Sequence, residues 1–423
     1  MEQQMTVKTP ISVLVIRHGP LDYSEPFVAV LRKTFTGNYG SDTFSASDYE
    51  LLNPVDFRVF SSPDTKNDPN KLIRPEQIKT ALADQSEALL IILLLADHSP
   101  MEQILMDEWA GFARQHSQVF VLVVSLVSAE QLPPPSGTTE ENLLCLGLSD
   151  LDERDLRRDF LALHALNLAL RLLSRTGINR VSMTGSLTQT NRPRLFFSHA
   201  KRDGVPLSTA LVSWLGRLSS FQFFYDSLDL DLSGDIGKQL EKAVANSVLV
   251  VLRTEVFDQR YWCQKEIFWA EKYGIPIITV DARWNLHHAP SVVSFDASPS
   301  VRIPDGSLVR ILLSALTEAI RVALLRRRAH LTAESAGLAT ASMAPLARFP
   351  SLVSLHALLE RCSTGITTAA SSNQPFFIVY PNPTMPDGIR DSVREVAAAF
   401  IPGSQVLSLD EFRIRCLSIN APD

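Results

Sequence analysis

The sequence is poor in cysteine and has no large excess of charge of either sign. Its four cysteines, Cys145, Cys263, Cys362 and Cys416, are far apart and form no CxxC pair. They therefore predict reduced thiols rather than a disulfide framework or a zinc site. Lysine and arginine together number 40, against 46 aspartates and glutamates, so the formal charge is -6. That balance excludes a strongly basic protein that coats nucleic acid through phosphate contacts.

Long hydrophobic runs are also missing. The most hydrophobic segment, residues 88–96 (ALLIILLLA), is nine residues long. A membrane-spanning helix needs about 20 such residues, so we interpret this segment as a buried strand. Residues 1–10 are polar and lack the apolar core of a signal peptide. We expect a soluble, cytoplasmic protein with no membrane partner and no direct binding of nucleic acid.

Short β-branched runs alternate with helix-length amphipathic stretches, which is the pattern of parallel sheets flanked by helices. At roughly 150 residues per domain, the 423 residues allow two or three domains. Small polar residues at 184–191 (TGSLTQTN) predict a linker, and few large apolar side chains at 333–342 predict another, placed at 331–350. The predicted fold is α/β with flavodoxin-like sheets, in an N-terminal domain (1–182), a central domain (192–330) and a small C-terminal α/β region (351–423).

The first two domains follow one plan. Residues 87–95 (EALLIILLL) match residues 246–253 (NSVLVVLR) in kind and position, and each run precedes a helix, an apolar strand, a short strand and an arginine-rich closing helix. Doubly wound units resemble one another at this level of detail. A true duplication and two unrelated units of similar design therefore both stay open.

Polar segments follow the apolar strands of the central domain. Residues 194–203 (RLFFSHAKRD) are a strand that ends in a Ser-His pair, and residues 223–234 (FFYDSLDLDLSG) are a strand and a long loop. Residues 261–266 (YWCQKE) place Trp262 and Glu266 on one helix face. Because ligands of open α/β sheets bind beyond the carboxyl ends of the strands, these segments form the candidate site.

The ordered set FFSHAKRDG, YDSLDLDLSGDIGKQLEKAVANS, VLVVLRTEVFDQRYWCQKE and GIPIITV resembles a TIR (Toll/interleukin-1 receptor-like) domain over residues 192–328. Many TIR domains of bacteria and plants cleave NAD+ at the nicotinamide–ribose bond, and their catalytic residue is the glutamate of the WxxxE-type helix. The resemblance therefore implies an NAD+ glycohydrolase in which Glu266 is the catalytic carboxylate. NAD+ is then a substrate, and neither a cofactor nor a metal is expected.

One carboxylate is enough for this chemistry. Departure of nicotinamide generates oxocarbenium character on the ribose, which a nearby carboxylate stabilises. Nicotinamide is already cationic in NAD+, so it leaves without a strong general acid. Two carboxylates, as glycosidases use, are therefore not required.

The resemblance also implies a substrate pocket. The substrate-binding residues that it implies are Phe197, Ser198, His199, Asp226, Gly234, Tyr261 and Trp262. The first three would line the ribose or nicotinamide, and the tryptophan would form a wall beside the glutamate. The loop at 226–234 matches the BB loop of the family, which often reaches a neighbouring subunit and completes the site on assembly. Leu-Ser-Gly occupies residues 232–234, where the family usually has Pro-Gly. This difference affects the expected rigidity of the loop more than the chemistry.

Each of these residues also has a plain structural interpretation. A tryptophan and a glutamate one turn apart can be a packed aromatic beside a solvated charge, and His199 can hydrogen-bond locally. Asp229 and Asp231 alternate on a loop, where acidic side chains are usually solvated, so we assign them to no metal. Cys263 is next to Trp262, but no histidine lies nearby in sequence to activate it, so we interpret it as a core residue.

The resemblance places the chain with effectors of bacterial antiphage immunity, in which NAD+ depletion stops the infected cell. It implies self-association through TIR domains and an activating partner protein or complex encoded nearby. The alternative function is a non-catalytic TIR scaffold that recruits other TIR proteins. The trigger, the oligomeric state and the product, which could be linear or cyclic ADP-ribose or another form, stay open.

The N-terminal domain carries one weak motif. Residues 17–19 (RHG) and 61–63 (SSP) resemble two motifs of histidine phosphatases, but the apolar run at 119–127 lacks the second histidine that this reaction needs. Glu108 lies about where the catalytic glutamate lies in the second unit, yet the position four earlier is Ile104 rather than tryptophan. We therefore predict a degenerate TIR-like or flavodoxin-like domain with a regulatory, sensing or assembly role.

The C-terminal region carries no chemical motif. Its 351–423 segment is small for a complete α/β domain, so we expect it to pack on its neighbours. Just before it, residues 326–328 (RRR) are predicted to end a helix that begins near 308, where cations compensate the helix dipole.

Overall fold

Parallel sheets flanked by helices make up the described part of the chain, which confirms the predicted α/β class. The computed structural model describes residues 9–18, 21–36, 55–62, 73–82, 86–95, 100–125, 143–147, 154–175, 194–216, 222–224, 235–283, 298–302, 308–371 and 375–419. The chain divides into two compact units, one of Lys8–Asn179 and one that contains Arg180–Asp423.

The first unit is a five-stranded parallel sheet in the order β2-β1-β3-β4-β5. Its elements are β1 (Ser12–His18), α1 (Leu21–Thr36), β2 (Asp56–Ser62), α2 (Pro75–Leu82), β3 (Leu89–Leu95), α3 (Pro100–Gln115), β4 (Val119–Ser125), β5 (Leu143–Gly147) and α4 (Arg154–Arg175). Strands β3 and β4 are buried along their whole length, as the continuous apolar runs predict for the centre of a parallel sheet.

A buried histidine on α4 makes the stability of this unit depend on pH. His164 packs against the ring of Phe160, with centroids 5.2 Å apart, and burial lowers its pKa to about 4. Between that pH and about 6.5 only the unfolded chain is protonated at this residue, so the free energy of unfolding falls as the pH is lowered. The expected loss is about 3 kcal/mol, complete below pH 4.

Thermal unfolding of the full chain between pH 7 and pH 4 measures this effect. His164→Leu has a similar volume and no titrating group, so we expect it to unfold at a midpoint that depends less steeply on pH. Equal slopes for the two proteins would contradict the assignment of the pH dependence to this side chain.

The second unit begins with another five-stranded parallel sheet, in the order β7-β6-β8-β9-β10. Its elements are β6 (Arg194–His199), α5 (Val205–Leu215), β7 (Gln222–Phe224), α6 (Ile236–Ala245), β8 (Val248–Arg253), α7 (Tyr261–Tyr273), β9 (Ile277–Asp281), β10 (Ser300–Arg302) and α8 (Leu308–Ser335). Counted from its first strand, this sheet has the same strand order as the first. Both sheets are compatible with a flavodoxin-like arrangement.

The long helix α8 differs from its prediction at the carboxyl end. It continues to Ser335, so the arginines at 326–328 lie inside the helix instead of ending it. The residues that follow them contain no glycine or proline before Gly337, whose positive φ of 68° lies just beyond the helix. Ala329 and Ala333 in this last part are fully buried, and their packing extends the helix beyond the polar triplet.

The predicted linker at 331–350 is not a linker. It contains the end of α8, a 3-10 turn and β11 (Met343–Pro345), which pairs with the next strand of a third sheet. Ala333, Ala336 and Met343 belong to the core beneath that sheet. The sequence argument considered large apolar side chains, whereas alanines provide the close packing at this place.

The C-terminal region is a small α/β layer. Its three-stranded parallel sheet has the order β11-β12-β13. The remaining elements are α9 (Leu352–Ser371), β12 (Phe376–Tyr380), α10 (Asp387–Phe400), β13 (Ser404–Ser408) and α11 (Leu409–Ile419). Helix α9 contacts α7, and α11 contacts α8, so the region packs on the central sheet's helices. None of the described helices combines the length and the apolarity that crossing a bilayer requires.

Two arginines attach these later elements to the segment that runs from the end of α7 to the start of β9. Arg326 on α8 donates to the carbonyl of Gly274 at 2.7 Å, and Arg348 donates to the carbonyl of Ile277 at 2.9 Å. Gly274 ends α7 in the left-handed conformation (φ 61°), which glycine adopts without strain. Arg326 therefore holds the carboxyl end of α7, and Arg348 holds the first residue of β9.

Candidate active site

The candidate site lies where the end of β6 meets the first turns of α7. Ser198 on β6 donates a hydrogen bond from Oγ to Oε2 of Glu266 on α7 at 2.5 Å. The two residues are only 1% and 7% exposed. The contact joins segments 68 residues apart, at the carboxyl edge of the sheet where α/β proteins bind ligands.

The alternation of β6 decides which of its residues share a face with Glu266. Phe196 belongs to the core beneath α7, and successive side chains of a strand point to opposite faces. Ser198 therefore faces α7, whereas Phe197 and His199 face the other side of the sheet. Of the three predicted pocket residues on this strand, the structure brings only the serine to the glutamate.

His199 is held by local contacts. It is buried, and its Nδ1 lies 3.3 Å from the carbonyl oxygen of Phe197. A Cβ at Gly204 would lie 3.0 Å from the His199 Cβ and 3.0 Å from the Ala200 carbonyl oxygen. A side chain at this position would therefore need the end of β6 to shift slightly, because α5 starts so close to it.

Cys263 shares the interior of the site with Ser198 and Glu266. Burial, together with the charge of Glu266, raises the pKa of its thiol to about 12, although a hydrogen bond with Ser198 acts in the opposite direction. The thiol is therefore protonated at neutral pH and is not a nucleophile. Its place in the core cluster agrees with the interpretation from sequence.

Trp262 lies one turn before Glu266 on the same face of α7. Trp262 is 45% exposed, and the centroid of its ring lies 6.4 Å from that of Trp269 and 5.4 Å from that of Tyr261. A Cβ at Gly237 would lie 3.7 Å from the Trp262 ring, so the indole rests on the first turn of α6. A half-exposed tryptophan thus lies one turn before the glutamate on α7, next to the exposed Tyr261.

Two predicted residues of the pocket, Asp226 and Gly234, lie outside the described residues. The residue after them, Asp235, caps α6 by accepting a hydrogen bond from the Lys238 backbone N–H at 3.1 Å. That bond, with the nearby charge of Lys238, lowers the pKa of the Asp235 carboxyl. The start of α6 is therefore set by a local signal that the sequence contains.

Sequence reasoning missed the contacts that join the two loops at the rim. The Asp203 carboxylate, after β6, accepts hydrogen bonds from Thr254 Oγ1 at 2.7 Å and from the Val256 N–H at 3.3 Å, after β8. Arg253 and Asp258 form an ion pair at 2.7 Å in the same segment. These bonds hold the segment that connects β8 to α7. Asp203 was visible in the SHAKRD segment, but nothing in the sequence indicated its partners.

The site can stabilise positive charge. Its carboxylate is largely removed from water and oriented by a hydroxyl, which strengthens its interaction with a cationic centre. Among the described residues, no group of three or more His, Cys, Asp or Glu side chains could hold a metal ion. The chemistry that these groups support is the stabilisation of a developing cation at the sheet edge.

The motifs of the first unit are engaged in other contacts. Arg17 donates to Ser61 Oγ at 2.5 Å and forms an ion pair with Glu25. The side chain of His18 lies outside the described part of the structure, as do residues 19 and 63. Glu108 pairs with Arg74 at 3.4 Å, while Ile104 is half exposed. The glutamate of this unit thus faces an arginine and has no aromatic wall at the position one turn earlier.

Comparison of the chain with protein-family models, with curated proteins and with solved structures finds no match. A strand order alone is shared by proteins of unrelated activities. Function is therefore inferred from the residues at the carboxyl edge of the central sheet.

Proposed function

We propose that the chain is an NAD+ glycohydrolase whose central domain is a TIR domain, with Glu266 as its catalytic carboxylate. The observation that carries the proposal is the Ser198–Glu266 hydrogen bond of 2.5 Å at the carboxyl edge of the sheet. It orients a buried acidic side chain beside a half-exposed tryptophan, at the place where an α/β sheet receives ligands. The WxxxE spacing and the order of the motifs supply the reaction class.

In the proposed reaction the bond between ribose C1′ and the nicotinamide nitrogen breaks. Its electron pair goes to nicotinamide, which leaves as a neutral molecule, and positive charge develops on the ribose. Glu266 stabilises that charge, and water then adds to C1′ and releases a proton. The products are nicotinamide and ADP-ribose. Cys263 keeps its proton, so its thiol does not act as a nucleophile in this reaction.

The surroundings of Glu266 favour this role over that of a surface charge. A carboxylate that is 7% exposed interacts with a cation more strongly than one in bulk water. Trp262 offers an aromatic face on which a nicotinamide or adenine ring can stack. A bound substrate would exclude water from the carboxylate, which strengthens the same interaction.

The rest of the proposal concerns regulation. We assign the first unit and the C-terminal region to holding the enzyme inactive or assembling it, in the cytoplasm of a cell that defends itself against phage. Self-association through the TIR domain, and a partner protein or complex encoded nearby, would activate it. Constitutive NAD+ loss is toxic, so a resting state with low activity is part of this assignment.

Cellular NAD+ and released nicotinamide test the proposal. Cells that produce the wild type are expected to lose NAD+, whereas cells that produce Glu266→Ala keep it. Glu271→Ala is the matched control, because this glutamate is on the same helix but faces Arg348 at the other end. Equal NAD+ in wild-type and Glu266→Ala cells, with and without the products of neighbouring genes, would reject the enzyme.

The second candidate function is a non-catalytic TIR scaffold. The observation that favours it is the exposure of Tyr261 and Phe268 on α7, since exposed aromatic side chains are common in protein interfaces. A scaffold would associate with TIR proteins and leave NAD+ untouched. NAD+ cleavage that disappears in the Glu266 variant would exclude it as the sole function.

A further inference from the structure

The hydroxyl of Ser198 is not accessible to a substrate. The residue is 1% exposed, and it faces the helix that carries Glu266 rather than the solvent. Its backbone is fixed by the pairing of β6 with β8, in which Ser198 lies opposite Val251. The position of Oγ is therefore set by the sheet and not by a mobile loop.

The partner of Ser198 determines the direction of its hydrogen bond. Oγ of Ser198 is the donor and Oε2 of Glu266 is the acceptor. An ionised carboxylate can only accept hydrogen bonds. The single hydroxyl proton of Ser198 is therefore directed to Oε2 of Glu266.

This arrangement restrains a flexible side chain with a rigid one. A glutamate loses considerable rotamer freedom when it is held in one conformation. The hydroxyl of Ser198 lies on a strand, and at 2.5 Å it fixes one oxygen of the Glu266 carboxylate. A displacement of about 1 Å at a reacting group can reduce the rate about 100-fold.

We infer that Ser198 is a positioning residue for the Glu266 carboxylate and does not bind substrate. The inference rests on the proposed function and replaces the substrate-binding role that the resemblance gives to this serine. The serine affects the reaction only through the glutamate, so its loss lowers kcat and leaves the affinity for NAD+ unchanged.

Three variants of the purified full-length chain measure this effect on nicotinamide release from NAD+. Ser198→Ala is expected to lower kcat about 10- to 100-fold with KM within about twofold. Ser198→Thr, which restores the hydroxyl, is expected to recover most of the loss. Ser208→Ala is the matched control, because Ser208 is a buried serine on α5 that donates to the Val205 carbonyl. It is expected to keep the wild-type kcat.

The pH profile separates positioning from a general loss of structure. A hydrogen bond to the ionised form of a carboxylate favours that form. Without it, the acid limb of kcat/KM in Ser198→Ala is expected to move to higher pH. A variant that was merely less stable would lose activity at all pH values without moving the limb.

A double-mutant cycle tests whether the serine acts through Glu266 alone. Adding Ser198→Ala to Glu266→Gln is expected to cause no further loss of kcat. A raised KM with unchanged kcat, an additive loss in the double variant, or wild-type kinetics of Ser198→Ala would each overturn the inference. Turnover by the wild type would still support the proposed function in those cases, whereas a wild type that stays inactive even with the products of neighbouring genes would remove both.

Discussion

Replacement of Glu266 with glutamine is expected to lower kcat for NAD+ cleavage about 1000-fold, because it removes the charge that stabilises the ribose cation. The amide keeps the length of the side chain, and its oxygen can still accept the hydrogen bond from Ser198. The variant therefore tests charge and not shape. Nicotinamide release by the purified chain at saturating NAD+ gives kcat, and calorimetric titration gives the affinity for NAD+, which we expect to be retained.

The same substitution has an expected effect on stability. Burial of an ionised carboxylate opposes folding unless its partners compensate for lost hydration. The neutral amide of Glu266→Gln removes that opposition, so its midpoint of thermal unfolding is expected to equal or exceed that of the wild type. A large fall in the midpoint together with wild-type turnover would identify Glu266 as a structural residue instead.

Shortening the side chain provides the second arm of this test. Glu266→Asp keeps the charge but withdraws it by one methylene group, away from Ser198. We expect kcat between those of the wild type and the glutamine variant, lower than the wild type by about 10- to 100-fold. Wild-type turnover by both variants would place the chemistry at another residue.

The order of strands and helices was predictable because burial leaves a local signature in the sequence. The run at 88–96 is apolar at every position, and β3 is correspondingly buried on both faces at the centre of its sheet. Strand order has no such signature. The placement of β1 between β2 and β3 depends on pairings between residues far apart in sequence, such as Val15 with Val59 and with Ile92.

The error at 326–350 has a physical cause. Charged residues and then small ones interrupt the amphipathic pattern, and both features are typical of helix ends and linkers. Packing outweighed that local signal, because Ala333 and Met343 are buried under the C-terminal sheet. One arginine of the triplet does stabilise a helix end, but the end of a different helix. Arg326 donates a hydrogen bond to the carbonyl of Gly274, just after α7.

The site was predictable in part. Helical periodicity alone places Trp262 and Glu266 on one face, and the structure has them there. Successive side chains of a strand point to opposite faces, so Ser198 faces away from the side that Phe197 and His199 occupy. The prediction that all three line one pocket did not take this alternation into account. The link from Asp203 to Thr254 spans 51 residues and has no pattern that could have indicated it.

A second large effect is expected far from the candidate site. Glu318 on α8 is 2% exposed, and Arg321 one turn later binds both of its oxygens, at 2.7 and 2.8 Å. Arg321 also donates to the carbonyl of Ala347 at 2.8 Å. Burial alone would lower the pKa of this arginine, but the hydrogen bonds with Glu318 and its charge outweigh burial, so the pKa is raised.

Arg321→Ala is expected to lower the free energy of unfolding by about 3 kcal/mol, because the buried Glu318 carboxylate loses the arginine that is hydrogen-bonded to both of its oxygens. Urea unfolding, followed by circular dichroism at pH 7, measures the loss. Arg327→Ala is the matched control on the same helix, since its partner Glu334 is half exposed and such pairs contribute less than about 1 kcal/mol.

The double variant Glu318→Leu/Arg321→Met separates the stability of the pair from the penalty of an unpaired charge. Both charges are then absent and the volume is largely conserved, so most of the loss in Arg321→Ala is expected to be recovered. A double variant as unstable as Arg321→Ala would show that the bond to the Ala347 carbonyl, and not the carboxylate, dominates. The arginine would then act mainly by attaching the C-terminal region to α8.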